Sequence, residues 1–554
     1  MSHSPPTFVD RAPVELPHRA RMEILAAVMI GIFLAALDQT VVGTALPVIV
    51  TQLGGNDVYT WAFTAYLLTS TISGPLYGKL SDLFGRRPIF LFGIGVFMVG
   101  SLLAGLSQEM WQLIAARGIQ GLGAGALFPI AIAVIGDLFA PSERGKYQGL
   151  FGAVFGLSIL IGPAIGGLIT DNIGWPWVFF LNLPVGAIVF AVVWRTLPSY
   201  HLGIDRPRID YLGAVLFTAA LVPILVGLTN KAGNDWADPE VGGLIAVGLL
   251  ISLVFLLVET RATEPIVPIH LLRNRSFTIS IASVFLAAFG FFAAVVFLPR
   301  WFQVVNGSSA TEAGYQILPL LGGLILSAVA SGQIVARTGR YKLLILGALV
   351  LMAVGLFLLS NLRVDTPIPV LWAWMFVAGL GVGPTFAVFI LIVQSAVPVQ
   401  ELGAASSSLT FFQSVGGTVG LAVTGTIFAQ TLTEEVPKQL AAAPIPPEVA
   451  GGLAQGGGLD PNALTGVGDL GAAILGSMPE AARAAVEPYI GAIVDAIYAA
   501  FSLATASTFT LGIVTAAVAA GLVALLREVP MRAESPEAAW VGQPQPVPVP
   551  SDED

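Results

Sequence analysis

The chain has 554 residues, of which 55% are hydrophobic and only 11% charged, where a soluble domain carries about 25% charged residues. A mean hydropathy of +0.83 over the whole length excludes a soluble enzyme, a disordered protein and a nucleic-acid binder. The formal net charge of −9 says less than the position of each charge, and long apolar runs in place of short alternating ones leave a polytopic all-α membrane protein, not a barrel.

A span needs about 20 mostly apolar residues. Fourteen such runs are expected, at 23–50, 59–81, 89–107, 110–139, 146–171, 177–196, 210–229, 241–260, 276–304, 311–336, 342–361, 369–394, 402–430 and 502–526. Each should be helical, because lipid offers the backbone no hydrogen-bond partner. The first run is too long for a signal h-region and lacks a small-residue cleavage site, so it reads as a retained span behind a cytoplasmic segment, 1–22. With that segment inside, nineteen of the 25 Lys and Arg fall in inner segments. Five (Lys231, Arg300, Arg363, Lys438 and Arg483) fall outside, and Arg117 falls within a span. The bias follows the positive-inside rule and places both termini in the cytoplasm.

Span 1 carries Asp38 within Leu37-Asp38-Gln39-Thr40. A carboxylate at such depth costs about 2.5–3.5 kcal/mol on insertion scales, and such residues rarely lack a role. Asp38 is either held by a buried polar partner as a structural element or is a proton carrier. Between spans 2 and 3 the chain reads Gly78-Lys-Leu-Ser-Asp82-Leu-Phe-Gly85-Arg86-Arg87. The arginines signal topology, which leaves Asp82 unexplained. It could join them in an inner charge cluster, or meet the positive N-terminal end of a helix from the other half, near Gly403. Arg117 on span 4 lies roughly 10 Å inside the outer end at about 1.5 Å per residue. It could pair with Asp38 or a backbone carbonyl, or snorkel outward. Asp137 and Glu259 end spans 4 and 8 at the interface, and Asp137, Glu143 and Arg144 could brace the turn into span 5.

Span 5 spaces Gly149, Ser158, Gly162, Pro163, Gly166 and Gly167. Small residues let helices approach and proline bends them, which suits a deformable seam as well as ordinary packing. A cavity for flat, greasy ligands would need mid-span aromatic and amide groups, of which Gln39, Tyr66, Gln120, Phe155, Phe386 and Phe412 are candidates.

Gly332 to Arg340, between spans 10 and 11, repeats the Gly-x6-Gly-Arg spacing of the first loop, with Arg340 in the place of Arg86. Two six-helix bundles, 23–196 and 276–527, are therefore expected around a two-helix insertion, 210–260, a common transporter plan. The second bundle includes an extracellular segment, 431–499. Its part up to Pro461 is rich in Ala, Gly and Pro and reads as flexible. Ser477 to Glu480 has capping-box spacing, and Val486, Ile490, Ile493, Ile497 and Phe501 recur at helical intervals. An amphipathic helix leading into span 14 follows, which could cover an outer exit, rest on the bilayer or be a tolerated insertion. The tail, 528–554, is proline-rich, acidic and expected to be disordered.

Four of these motifs resemble the Major Facilitator Superfamily, and more narrowly its fourteen-span drug:proton antiporters. Gly78–Arg87 resembles the family's loop 2–3 motif, Leu113–Gly125 its span 4 motif and Gly149–Gly167 its antiporter motif, with Ser158 in place of a glycine. Leu37 to Pro47 resembles the span 1 motif of the fourteen-span branch, with Gly43 where asparagine is common. The resemblance covers roughly residues 20–430 and 500–527. It implies a monomeric multidrug exporter of the prokaryotic inner membrane, exchanging lipophilic or cationic compounds for protons. Asp38 would carry the proton and Arg117 couple to it, while Gly78, Asp82, Gly85, Arg86, Arg87 and Arg340 gate. The only acid in span 10 is Glu312, at its edge, and Ala336 stands opposite Asp82 in the repeat, so monovalent cations or neutral lipophiles fit better than divalent cations. The same machinery would serve an exporter of an endogenous lipid, glycolipid or siderophore. Proton-coupled uptake and a non-transporting receptor are the other readings.

No cofactor is expected. There is no phosphate-binding Gly-x4-Gly-Lys-Ser/Thr loop. The lack of cysteine removes disulfides, thiolate metal sites and cysteine nucleophiles, and His3, His18, His201 and His270 all lie in polar flanks.

Overall fold

The computed structural model describes residues 17–53, 60–139, 141–198, 210–231, 235–262, 265, 269–397, 401–446, 470–477, 483 and 486–528. The N-terminal segment up to residue 16, residues 447–469 and the tail from 529 lie outside the described residues, so of the stretch up to Pro461 expected to be flexible only 431–446 is described, and 431–442 is helical. All regular elements among the described residues are helical. The first half comprises α1 (His18–Leu53), α2 (Thr60–Phe84), α3 (Arg86–Gly105), α4 (Met110–Leu138), α5 (Pro141–Asn172), α6 (Pro176–Phe180) and α7 (Asn182–Thr196). The insertion is α8 (Tyr211–Asn230) and α9 (Leu244–Glu259). The second half comprises α10 (Arg275–Val304), α11 (Ala310–Gln316), α12 (Leu318–Thr338), α13 (Lys342–Leu359), α14 (Ile368–Ser395), α15 (Leu402–Ala442), α16 (Leu470–Ser477) and α17 (Ile490–Ala524).

Among the described residues, 12 helices are long and apolar enough to cross a membrane, with α6 and α7 counted together. Two of the fourteen expected spans are helices without being among them. Thr64, Thr69, Ser70, Thr71 and Ser73 dilute the apolar run of α2, and α5 passes through positions whose side chains lie outside the described residues. Prolines break two further runs. Pro184 has no N–H to give the Phe180 carbonyl, and its ring crowds that oxygen, so 177–196 divides into α6 and α7 around Leu181. Pro319 acts likewise on Tyr315 where α11 meets α12.

The two halves repeat one packing arrangement. Gly121 and Gly125 of α4 press on the α2 backbone at Tyr66 and Ser70, while Gly379 and Gly383 of α14 press on α12 at Leu320 and Leu324. Gly123 and Gly381 face Phe97 of α3 and Met352 of α13 in the same way. A methyl group at any of these positions would overlap the neighbouring helix, so glycine sets the interaxial distance. The repeated loops match too. Gly85 has φ 94° and Gly339 φ 66°, a region that glycine enters without penalty.

Between the halves, α5 packs on α12 and α14, and α15 packs on α2 and α4. The insertion covers one of these seams. Phe217, Leu221 and Leu225 of α8 share a buried cluster with Ile72 of α2 and Phe411 of α15.

The segment after span 13 departs from expectation. Helix α15 runs on to Ala442, because Leu432, Val436 and Leu440 recur every fourth residue and are all buried. Helix α17 starts at Ile490 and continues unbroken through span 14, burying Ile493, Ile497 and Phe501. The amphipathic stretch therefore buries its apolar stripe inside the protein. Ser477 is the last residue of α16, and the rest of the capping-box stretch, 478–480, lies outside the described residues.

Candidate functional site

Five elements converge on Asp38, which is 2% exposed on α1. Its Oδ2 accepts from Nη1 of Arg117 on α4. Its Oδ1 accepts from Nε2 of Gln120, one turn along α4, at 2.8 Å and from Nδ2 of Asn182 at 2.8 Å. Both amides also donate to the hydroxyl oxygen of Ser101 on α3, at 2.6 Å from Gln120 and 2.9 Å from Asn182. Arg117 is fully buried; its Nε donates to the Ala62 carbonyl of α2 at 3.1 Å, and its Nη1 also donates to Oε1 of Gln120. The guanidinium lies 4.2 Å over the Tyr66 ring, a favourable cation–π geometry. Nη2 has no hydrogen-bond partner among the described residues. Tyr66 donates to the Ala35 carbonyl at 3.2 Å and hydrogen-bonds Gln39.

The arrangement stabilises an anion. Three donors converge on one carboxylate, and charge-assisted bonds of this kind are about twice as strong as neutral ones. Removing either charge of such a buried pair leaves the other uncompensated, at about 3–5 kcal/mol. The second half has no equivalent: four residues before Gly379 stands Met375, where Arg117 precedes Gly121, and Ala378 stands opposite Gln120. The charge chemistry therefore belongs to one half of the repeat.

A second polar cluster ties the halves together at the arginine-rich end. Asp82, at the end of α2, accepts from the backbone N–H of Gly403 at 3.0 Å and of Ala404 at 2.8 Å, the first turn of α15. Arg86 binds the Asp82 carboxylate, donates to the Ser81 hydroxyl at 2.7 Å and reaches Asp137 of α4 at 2.9 Å. Side chains could not be added at the crossing: a methyl group on Gly403 would strike Asp82 and Arg86, and one on Gly78 would strike Ser407. Gln394 of α14 adds a bond to the Ile132 carbonyl of α4 at 3.1 Å.

Several expected groupings differ. Arg87 donates to the Trp194 carbonyl and lies 5.2 Å over that ring, away from Asp82. Asp137 pairs with Arg86 and also faces Arg144 electrostatically, Arg144 holds the turn through the Phe139 and Gly136 carbonyls, at 2.9 and 2.6 Å, and Glu143 is exposed. Glu259 is the last residue of α9, at the expected span end, and is buried within the protein. Arg340 is exposed, and its backbone N–H bonds the Thr338 hydroxyl. Glu312 closes a capping box with Ser309, a structural use for that acid. In span 5, the Ser158 hydroxyl donates to Val154 and Phe33 carbonyls, and a methyl on Gly162 would meet Thr40, so α1 and α5 cross closely there. Gly166 is buried and Gly167 half-buried; the side-chain positions of Gly149, Pro163 and Phe155 lie outside the described residues.

Of the other candidate cavity residues, Gln39, Tyr66 and Gln120 surround Asp38, and Tyr66 and Gln120 have no exposure. Phe386 and Phe412 sit in the second half against Phe291 and Phe411, at 5.4 and 5.2 Å between ring centres. Sequence reading missed Asn182 and Ser101. The available signal was a lone amide two residues before a helix-breaking proline.

A sequence profile described as the Major Facilitator Superfamily matches residues 28–421. Multidrug transporter protein MdtP of Bacillus subtilis is 40% identical over 409 residues, 74% of this chain and 75% of that protein. Multidrug resistance protein 3 of the same organism is 36% identical over 414 residues, 74% of this chain and 80% of that protein. Among solved structures, the human organic anion transporter MFSD10 aligns with a TM-score of 0.55 at 16% identity, covering 74% of this chain and 94% of that one. The proton:xylose symporter XylE aligns at 0.53 and 17% identity, covering 74% and 89%. At those identities the likeness extends to the fold alone.

Proposed function

The chain belongs to the Major Facilitator Superfamily, a family of membrane transporters and not of enzymes, and from that premise we propose that it is a proton-coupled antiporter exporting amphipathic, drug-like compounds. The observation that carries the proposal is the buried Asp38–Arg117 pair with its amide clamp. A buried ion pair is not needed for stability, since replacing such a pair whole by well-packed apolar residues is often neutral or stabilising. The second half, which repeats the packing, dispenses with it. The relatives named as multidrug transporters favour small lipophilic substrates.

With α2 and α5 crossing as well, the chain has fourteen spans and both termini in the cytoplasm of a prokaryotic cell. The arginine-rich end is then the inner face, and the Asp82–α15 contact holds that face shut. The oriented N–H groups and dipole at the start of α15 favour a negative charge, by about 0.3–1 kcal/mol and more where partly buried. In the cycle, Asp38 takes a proton from outside as substrate leaves, the inner contact parts, and Asp38 releases the proton inside as substrate binds. The membrane potential supplies about 2.3 kcal/mol per 100 mV for each charge moved, enough for roughly a fifty-fold gradient of a neutral substrate.

Inside-out vesicles test the direction. Ethidium uptake should follow an imposed pH gradient, acid inside, and collapse with a protonophore. Uptake driven instead by ATP without a gradient, or by a gradient of opposite sign, would refute antiport.

A further inference from the structure

Asn182 is part of the amide clamp but has no step in the cycle above; it gives one hydrogen bond to the buried carboxylate and one to Ser101. Its position follows from the proline. Pro184 interrupts the helix before it, and α7 restarts at Asn182 with the side chain turned onto Asp38 and Ser101. Asn182 is 1% exposed and Ser101 has no exposure. The hydrogen bonds of Asn182 to Asp38 and Ser101 both run through Nδ2, and its Oδ1 takes no part in them.

Gln120 makes the same pair of contacts but is not equivalent. Its Oε1 accepts from Arg117, so its amide is fixed in one orientation. A carboxamide carries donors on one atom and acceptors on the other, and half a turn about its last bond exchanges them. For Asn182 that turn places Oδ1 where Nδ2 now sits, 2.8 Å from Asp38 and 2.9 Å from Ser101. Oδ1 could then accept the O–H of a protonated Asp38 and the O–H of Ser101 together. Gln120 would go on donating to Ser101. Asp38, Gln120 and Ser101 therefore keep a partner in the turned state, as a buried polar network needs.

We propose that Asn182 is a positioning residue for the transported proton: its amide donates to Asp38 when the carboxylate is charged, and turns to accept from Asp38 when the carboxyl is protonated. The proton moves onto Asp38 from the outer side and leaves to the inner side, with no other bond made or broken. The charged and titratable groups facing Asp38 are Arg117 from α4 and Tyr66 from α2. From the remaining neighbours, α3 brings Ser101 and α7 brings Asn182, while α5 meets α1 nearby through Ser158 and Gly162. The proposal rests on Asp38 being the proton carrier.

Infrared difference spectra of the full-length protein, taken as pH is lowered, read both ideas separately. A carboxyl C=O band that rises in wild type and is missing in Asp38→Asn identifies protonated Asp38. Its absence from wild type would remove Asp38 as carrier, and this proposal with it. With the band present, Asn182→Leu should move its midpoint up by about one pH unit, because the charged form loses the stronger of the two hydrogen bonds. The band should also move to higher frequency, since the carboxyl O–H loses its acceptor. An unchanged midpoint and frequency would overturn the role of Asn182 and leave Asp38 as carrier. Asn182→Ala repeats the test if the leucine variant does not fold. Asn182→Thr, whose hydroxyl both gives and accepts, should return both readouts toward wild type; a result matching Asn182→Leu would count against the proposal.

Discussion

Replacing Asp82 by asparagine should open the inner face. The substitution keeps the shape of the side chain but removes the charge that accepts from the Gly403 and Ala404 amides and from Arg86. Arg86 keeps Asp137 at 2.9 Å, so no buried cation is orphaned. One amide contact becomes an N–H facing an N–H, and the other drops from a charge-assisted to a neutral bond. Hydrogen bonds to charged groups contribute about 1.5–3 kcal/mol against about 1 kcal/mol for neutral ones. Adding a helix-terminus contribution of about 0.3–1 kcal/mol, the closed inner state should lose about 2–4 kcal/mol relative to the open one. That is a shift of roughly thirty- to several-hundred-fold in the equilibrium. The chain lacks cysteine, so a single reporter is unambiguous. Ser407 of α15 is fully buried against Gly78. In inside-out vesicles, a membrane-impermeant maleimide should label Ser407→Cys slowly, and at least tens of times faster when Asp82→Asn is added. Equal rates in the two backgrounds would refute the claim that Asp82 holds this face closed.

Arg117→Met should destabilise the fold by about 3–5 kcal/mol by stranding Asp38, seen as a lower melting temperature in detergent. Adding Asp38→Asn should recover most of that loss without restoring transport. Gly123→Val should cost at least about 1–3 kcal/mol by overpacking against Phe97, and Gly381→Val should do the same against Met352; both are read from the yield of folded protein. Phe217 of α8 and Phe411 of α15 have ring centres 5.4 Å apart, and α8 also packs on α2. A reducible bifunctional thiol crosslinker joining Phe217→Cys and Phe411→Cys should staple that seam and slow ethidium transport several-fold, with recovery on reduction.

Charges in apolar runs were the most legible part of the site. Asp38 and Arg117 stand out because lipid makes an ion conspicuous, and the fold brings them into direct contact. Asp82 could be matched to α15 because Gly403 begins a helix whose free N–H groups need an acceptor. Asn182 and Ser101 were not legible in the same way, since neutral polar residues are ordinary in membrane helices and only the break at Pro184 aims Asn182 inward. Helix ends failed for a related reason. Leu432, Val436 and Leu440 extend α15 by three turns through contacts that hydropathy does not encode. The partner of Arg87 was hidden because a backbone carbonyl, that of Trp194, carries no signature in the sequence.

The most direct measurement is proton release from acid-loaded proteoliposomes as ethidium is added outside, with wild type and Asp38→Asn compared side by side. Antiport through Asp38 predicts substrate-triggered proton release in wild type and none in the variant. Equal release from both would place the coupling elsewhere and contradict the central claim.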